Sequence, residues 1–287
     1  MRVSTYLKKW FPAFALPTSL AFLLAFLVPF AMGLYLSFTK FQVITDARWI
    51  GVGNYTRAFT ENTTFLRALW FSVRFTAVSV IVVNVLAFTF AMLLTKAIRA
   101  TNLFRAVFFL PNLIGGIVLG YIWQLLLNAI LGKLVQHDLT YNPAYGFWGL
   151  VIVNSWQMIG YMMIIYIAGI QNIPGDVIEA ADIDGARFWP RLLRVTIPMV
   201  ASSITICTFL TLTNSLKLFD QNLSLTAGAP QQGGVYTTSG LSLDIFRTFY
   251  AIRNHQGVGQ AKAVMFFVIV AAIAFVQLRA TRSREEH

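Results

Sequence analysis

Carboxylates are concentrated in one short segment of the chain, residues 176–184, which reads Asp-Val-Ile-Glu-Ala-Ala-Asp-Ile-Asp. Asn172 can cap a helix and Pro174 suits its first turn, while early acidic residues favour the positive end of the helix dipole. This pattern predicts a short helix over residues 174–183. Gly185 then permits a reversal of the backbone, because glycine adopts positive φ readily.

A second helix is expected to begin near Ala186. It carries three basic residues, Arg187, Arg191 and Arg194. On the first helix, Ala180 and Ala181 are small enough for another surface to approach closely, so the segment could serve for docking. By composition alone, an ordinary amphipathic linker between two apolar segments explains it equally well.

Amide and aromatic side chains form a second group, on an apolar run over residues 147–170. Asn154, Gln157 and Tyr161 share one helical face, because residues three and four apart are neighbours, and Trp156 lies beside them. Buried amides are costly unless they form hydrogen bonds. The group therefore indicates either a wet cavity or hydrogen bonding between helices.

Groups for covalent or ion-coupled chemistry are scarce in the apolar runs, where Arg74 and Lys262 are the only ionisable residues. Both lie near predicted helix ends, where they could snorkel. Ion-coupled transporters usually need an ionisable residue near the midplane, and the runs offer neither a nucleophile–base pair nor metal ligands. A phosphate-binding loop is also missing, and the single cysteine, Cys207, excludes an internal disulfide. If the protein moves a solute uphill, another chain must supply the energy.

The composition is that of a membrane protein, since 57% of the 287 residues are hydrophobic and 11% are charged. Soluble domains carry about 25% charged residues. The net charge of +11 fits Lys and Arg retained in cytoplasmic loops, and no basic run of the kind that binds nucleic acid occurs. We therefore predict an all-α integral membrane protein with no nucleic-acid partner.

Six apolar runs are long enough to cross a bilayer core of about 30 Å as helices. They cover residues 14–38, 71–95, 106–127, 147–170, 195–216 and 259–278 of a single transmembrane domain, 1–287. Basic residues are densest on the short segments that an inside N-terminus would place inside. These residues are Arg2, Lys8, Lys9, Lys96, Arg99, Arg105, Arg187, Arg191, Arg194, Arg279, Arg282 and Arg284. The predicted topology has both termini in the cytoplasm, inner loops at 96–105 and 171–194, and outer loops at 39–70, 128–146 and 217–258.

The spacing around the acidic segment resembles the signature loop of the permease subunits of ATP-binding-cassette importers. That pattern is Glu-Ala-Ala, three residues, Gly, nine residues, and then aliphatic-x-aliphatic-Pro. The matching residues are Glu179, Ala180, Ala181, Gly185, Val195, Ile197 and Pro198. Asp184 and Ala186, which flank the glycine, are similar to the sugar-importer version.

The resemblance extends over nearly the whole chain. Further matching segments are Gly51-Val52-Gly53-Asn54-Tyr55, Arg105-x4-Leu110-Pro111, Leu216-Lys217-x-Phe219-Asp220 and Gly257-x-Gly259-x2-Lys262-Ala263. Together they resemble the carbohydrate-uptake subfamily, which includes maltose, glycerol-3-phosphate and multiple-sugar or raffinose-type importers. The resemblance implies a type I importer permease fold with six transmembrane helices, and half of a translocation pathway for a sugar, with an oligosaccharide expected.

The resemblance also implies an assembly in a bacterial cell membrane. The chain would pair with a second homologous permease, rest on two ATPase subunits and receive sugar from an extracellular solute-binding lipoprotein. ATP and Mg would be bound by the ATPases, with no cofactor and no catalytic residue on this chain. The signature residues would dock onto an ATPase and transmit its motion.

A sugar pathway would be lined by side chains that bond hydroxyls and stack on pyranose faces. Candidates at membrane depth are Asn84, Tyr121, Trp123, Gln124, Asn128, Asn154, Trp156, Gln157, Tyr161, Asn214 and Gln221. Interfacial aromatic belts and amide bonds between helices are the alternative roles of such residues. In the outer segment 217–258, a short helix near 239–250 is a candidate contact for the binding protein.

Two other function classes remain open from the sequence. A facilitator channel would need no ATPase, and would leave the acidic segment unexplained. A permease for a non-sugar solute, such as glycerol-3-phosphate, phosphate, an amino acid or a metal, would share the signature loop.

Overall fold

The computed structural model describes residues 11, 14–60, 64–95 and 100–285, with side chains as far as residue 277 and that of Arg279. Helices account for almost all regular structure in these ranges. In chain order they are α1 (Phe14–Ser37), α2 (Gly53–Thr60), α3 (Thr64–Leu94), α4 (Thr101–Phe109), α5 (Gly116–Leu134), α6 (Pro143–Gln171), α7 (Gly175–Ile183), α8 (Phe188–Met199), α9 (Ala201–Leu216), α10 (Leu241–Tyr250) and α11 (Gln256–Glu285). Two antiparallel ribbons join β1 (Thr39–Lys40) to β2 (Arg48–Trp49) and β3 (Gln231–Gln232) to β4 (Val235–Tyr236).

Within the described residues, five helices are long and apolar enough to cross a membrane, namely α1, α3, α5, α6 and α11. The pair α8 and α9 makes a sixth if the two are counted as one bent span. Helix is the expected form, because a segment inside lipid must satisfy its own backbone hydrogen bonds.

Backbone contacts divide the molecule into two compact units. The first comprises the described residues up to 60 and Ile245–Phe267. Its order comes partly from the buried side-chain amide of Asn54, which donates to the carbonyls of Ser37 and Thr39 at 2.9 and 2.8 Å. This bonding explains why a polar residue is buried at the start of α2.

Lys262, in the same unit, differs from the sequence prediction that it snorkels to a membrane surface. It is 3% exposed, and its ammonium group donates to the hydroxyl of Thr248 at 2.9 Å. The prediction is wrong because α10 places a polar partner beside α11 and keeps the ammonium group inside the protein.

The second unit comprises Thr64–Asp244 and the residues from 268 onward. Its core is built by α3, α6 and α9, and α6 is the most completely buried of the candidate spans. One apolar cluster surrounds Met162, Met163 and Tyr166 of α6, and a second surrounds Leu150 and Val153 nearer its start. Most of α6 is therefore surrounded by protein, including the buried polar residues Asn154 and Ser155.

The third apolar run is not the continuous helix that the sequence predicts over 106–127. Helix α4 ends at Phe109, a single 3-10 turn covers Leu110–Leu113, and α5 begins at Gly116. Pro111 is buried within the turn, and Ile114 is extended, with φ −83° and ψ 130°. Proline supplies no amide hydrogen, so this stretch cannot keep the ladder of an α-helix unbroken.

The fifth apolar run, predicted over 195–216, is also broken. Helices α8 and α9 meet at Val200 with a bend of 72°. Pro198 lies just before the bend, where its missing amide hydrogen weakens the helix. Asn172, which the sequence predicts as the cap of α7, is instead the C-cap residue of α6. Its backbone amide donates to the Ala168 carbonyl.

Candidate functional site

A polar cleft of about 460 Å³ lies within the second unit. Its walls come from α6, from the break between α4 and α5, and from the end of α9 with the segment that follows it. The lining residues are Asn112, Asn154, Gln157, Met158, Tyr161, Asn214, Lys217, Leu218, Phe219, Asp220 and Gln221. The set combines amides, one carboxylate, one ammonium group and two aromatic rings, which is chemistry for binding rather than for bond cleavage.

The break in the third apolar run positions one wall of this cleft. Asn112 faces the cleft from the 3-10 turn. The carbonyl of Ile114, freed from helical bonding, accepts a hydrogen bond from Nε2 of Gln157 at 3.0 Å. The amide of Gln221 in turn donates to Oε1 of Gln157. Gln157 therefore links all three walls of the cleft.

Asn154 is a buried cleft residue whose amide donor has no partner in the described part of the chain. Its side chain is 3% exposed, and Nδ2 has no hydrogen-bond partner within the described residues. A buried donor without a partner costs about 1–3 kcal/mol. A hydroxyl-bearing ligand or an ordered water that reached Nδ2 would remove that cost.

The charged groups of the cleft balance. Lys217 and Asp220 are both exposed, and they contribute one positive and one negative charge to the lining. A site for a phosphorylated or other anionic solute concentrates cationic donors. This lining suits a neutral ligand with many hydroxyl groups better than an anion.

Five of the predicted pathway residues are brought together here: Asn154, Gln157, Tyr161, Asn214 and Gln221. Sequence reasoning did not select Asn112, Lys217, Phe219 or Asp220 as ligand contacts. The last three lie in the segment Leu216-Lys217-x-Phe219-Asp220, whose spacing resembles the importer permeases. That resemblance is a signal that could have identified them. Asn112 could not be identified, because only the helix break turns it toward the cleft.

The other predicted amides make bonds inside the protein. Asn84 donates to Thr211 at 3.3 Å and accepts from the hydroxyl of Tyr166 at 2.8 Å, which joins α3, α6 and α9. Gln124 donates to the Leu225 carbonyl at 2.9 Å. Asn128 accepts from the Leu139 amide at 2.8 Å.

Three other predicted aromatic residues, Trp123, Trp156 and Tyr121, lie apart from the cleft lining. Trp123 and Trp156 pack edge to face, with ring centroids 5.4 Å apart. Trp156 also lines an apolar groove on the other side of α6. Tyr121 on α5 is exposed.

The acidic segment forms α7, a helix of nine residues that ends in a tight cap. Gly185 has φ +74°. Its backbone amide donates to the backbone carbonyl of Asp182 at 3.1 Å, and the backbone amide of Ala186 donates to the carbonyl of Ala181 at 3.0 Å. This pair of bonds is a Schellman motif, which needs a left-handed residue after the helix. Asp184 occupies the C-cap position immediately before that glycine.

Helix α7 is tied to α8 and still presents a free surface. Arg191 donates to the carboxylate of Asp182 at 2.5 Å. Ala181 is buried, whereas Ala180 and Glu179 are exposed, and Ile183 is 86% exposed. Within the described part of the chain, no hydrogen bond or ion pair involves the Glu179 carboxylate. Pro198 lies on α8 close to the bend, distant in sequence from this surface.

Comparison with known proteins identifies relatives across the whole chain. The family model for the binding-protein-dependent transport system inner membrane component matches residues 98–283. A probable starch degradation products transport system permease protein of Thermoanaerobacterium thermosulfurigenes is 42% identical, over 96% of this chain and 95% of the relative. The trehalose/maltose transport system permease protein of Thermococcus litoralis is 29% identical, over 85% and 83%.

Solved structures share the fold. A chain of the bacterial alginate ABC transporter, in complex with an alginate pentasaccharide-bound periplasmic protein, matches with a TM-score of 0.79 and 19% identity, over 99% of this chain and 98% of that one. A chain of an ABC transporter that imports the acidic polysaccharide alginate gives 0.80 and 20%, over 99% of each chain.

Proposed function

This chain belongs to the family of binding-protein-dependent transport system inner membrane components, and we propose that it is the permease subunit of an ATP-driven oligosaccharide importer. It is a multi-pass membrane transport subunit, not an enzyme. The observation that carries the proposal is the amide-rich, charge-balanced cleft on α6, in a chain 42% identical to a permease for starch degradation products.

The cleft is proposed as part of the solute pathway. Sugar hydroxyls both donate and accept hydrogen bonds, and the amides of Asn112, Asn154 and Asn214 can do the same. Tyr161 and Phe219 supply rings against which an apolar sugar face can pack. Glycerol-3-phosphate and phosphate fit this lining less well, because Lys217 is the only cation among its described residues and Asp220 offsets it.

Helix α7 is proposed as the element that an ATPase subunit grips. The exposed Glu179, Ala180 and Ile183 form the contact face, and the small alanine allows close approach. Because the Schellman cap and the Arg191–Asp182 pair fix α7 to α8, a push on α7 would move α8 as well. The bend before α9 would carry that movement toward the cleft.

The remaining assembly is proposed on the family resemblance. Six spans with both termini in the cytoplasm place α7 inside, where an ATPase can reach it. A second permease completes the pathway, an extracellular binding lipoprotein delivers the solute, and the ATPases hold ATP and Mg. The membrane is the plasma membrane of a bacterium.

The test is to purify the tagged chain with its co-eluting subunits, reconstitute the complex in liposomes and add the co-encoded binding protein. We expect maltotriose to stimulate ATP hydrolysis and to be taken up, and glycerol-3-phosphate to do neither. Uptake without ATP would favour a facilitator channel. Stimulation by glycerol-3-phosphate alone would replace the sugar assignment.

Asn154→Leu in the same assay tests the cleft itself. The substitution nearly preserves side-chain volume and removes the unused amide donor, so the fold should persist and sugar stimulation should fall about tenfold, the effect of one lost polar contact. Ser79→Ala is the control, because Ser79 is also buried with an unpaired hydroxyl but lies outside the cleft. Equal activity of both variants would remove the cleft from the pathway.

A further inference from the structure

Two neighbouring cavities along α3 and α6 differ sharply in chemistry. The first, of about 360 Å³, is lined by Phe71, Arg74, Asn142, Pro143, Ala144, Phe147, Trp148 and Thr237. The second, of about 430 Å³, is lined by Val82, Leu86, Phe90, Phe108, Trp148, Val151, Ile152, Ser155, Trp156 and Ile159. Trp148 lines both cavities, so the two adjoin at this residue. We refer to the pair as the groove, the first cavity being its polar end and the second its apolar shaft.

The polar end lies at the level of a membrane surface. Residues 75–94 of α3 carry no charged side chain, and twenty helical residues at 1.5 Å each span about 30 Å, the thickness of the hydrocarbon core. Arg74 therefore marks the boundary between hydrocarbon and headgroups. The exposed rings of Trp70 and Trp148 beside it are the kind of aromatic residues that occupy this boundary.

The guanidinium of Arg74 has hydrogen-bond donors that no described residue uses. This group lies 5.6 Å from the ring centroid of Trp70, and among the described residues it forms no ion pair or hydrogen bond. Asn142 uses its amide oxygen to cap α6, accepting from the Ala144 amide at 2.9 Å, which leaves its NH₂ group as a second donor. Two adjacent donors, one of them cationic, are suited to a phosphate group.

The shaft has the length and surface of an acyl-chain site. From Arg74 to Phe90 the groove follows α3 for sixteen residues, or about 24 Å. Leu86 and Ile152 face it from the two helices, and its lining is apolar apart from Ser155. A molecule that fills the whole groove must be anionic at one end and a long hydrocarbon at the other.

We propose that this groove binds one anionic phospholipid, with its phosphate on Arg74 and Asn142 and an acyl chain along α3 and α6. The site is separate from the polar cleft, which lies on the opposite side of α6. The proposal does not depend on which solute the protein moves. Basic pockets between membrane helices on the cytoplasmic side bind anionic headgroups by the same chemistry, and the proposed topology places this groove at the outer surface.

The test is native mass spectrometry of the full-length chain, purified with its co-eluting subunits and titrated with palmitoyl-oleoyl phosphatidylglycerol or with phosphatidylcholine carrying the same chains. We expect about tenfold tighter retention of phosphatidylglycerol, a preference lost in Arg74→Gln. Leu86→Trp, which fills the shaft, should release both lipids. Lys133→Gln removes an exposed cation at the end of α5 and should change nothing.

Three results would overturn the proposal. Equal retention of phosphatidylglycerol by the Arg74 and Lys133 variants would remove the headgroup site. Displacement of the lipid by millimolar inorganic phosphate would assign the polar end to the free ion. A photoreactive residue at position 152 that crosslinks to another protein subunit, rather than to lipid, would assign the groove to a subunit interface.

Discussion

At the scale of single residues, Gly185 shows how backbone conformation alone can restrict the side chain. Its φ of +74° lies in the left-handed region, and a Cβ added at this position would meet no atom within 4 Å. A side chain at position 185 would therefore meet no steric clash with neighbouring residues. The free-energy cost of substitution comes entirely from holding the backbone at positive φ. That cost is about 1–2 kcal/mol for an ordinary residue, and it is smaller for asparagine.

We predict that Gly185→Val uncouples ATP hydrolysis from transport, while Gly185→Asn keeps the two coupled. Valine resists positive φ, so the Schellman cap opens and α7 loses its fixed end. The readout is solute-stimulated ATPase activity of the reconstituted complex, with complex yield as the control for assembly. If the valine variant matched the asparagine variant, the cap would have no part in coupling.

The type and spacing of residues in the sequence predicted part of the cleft lining. Asn154, Gln157 and Tyr161 share a helical face, and the 3.6-residue period is sufficient to place them together. The same reasoning could not separate them from Asn84 or Asn128, because an amide that joins helices and an amide that lines a cleft have the same sequence signature. Only the partners in space distinguish the two roles.

At the scale of elements, the approach of α4 to α6 depends on one glycine. A Cβ at Gly160 would lie 1.9 Å from the carbonyl oxygen of Phe108, so the backbones are closer than any other residue allows. Small residues permit such close packing between membrane helices. The contact also places the break after α4 beside Gln157 and the cleft.

We predict that Gly160→Ala lowers the stability of the purified protein by about 1–3 kcal/mol, the range for overpacking a close contact. Gly132→Ala on α5 is the matched control, because nothing lies within 4 Å of a Cβ there. Alanine should be neutral or slightly stabilising at that site. The measurement is thermal unfolding in detergent, and equal midpoints for the two variants would contradict the packing argument.

The sequence indicated where the apolar elements lie but not where they break. Hydropathy over 106–127 and 195–216 is high enough for continuous spans, and proline is tolerated in membrane helices. Pro29 of α1 lies inside a helix that continues, whereas the stretches at Pro111 and Pro198 precede a break and a bend. Proline is present in all three helical stretches, so its occurrence in the sequence does not distinguish a helix that continues from one that breaks.

At the scale of the whole molecule, the proposed topology places α7 and the β3–β4 ribbon on opposite sides of the membrane. The basic residues that suggest this orientation include Lys96 and Arg99, which lie outside the described residues. They also include Arg187, Arg191 and Arg194, which follow α7. Density of Lys and Arg on short loops biases the orientation of insertion, and a few added charges can reverse it. A direct measurement of which side of the membrane α7 lies on is therefore the stronger evidence.

The chain is well suited to that measurement, because its single cysteine, Cys207, is 0% exposed and should not react with a bulky reagent. We predict that Ile183→Cys is labelled by a membrane-impermeant maleimide in inverted vesicles but not in intact cells. Gln232→Cys, on the exposed β3 strand, should show the opposite pattern. Labelling of position 183 from outside would place α7 beyond the reach of any cytoplasmic ATPase, and the proposal that ATP hydrolysis drives this permease through α7 would fail with it.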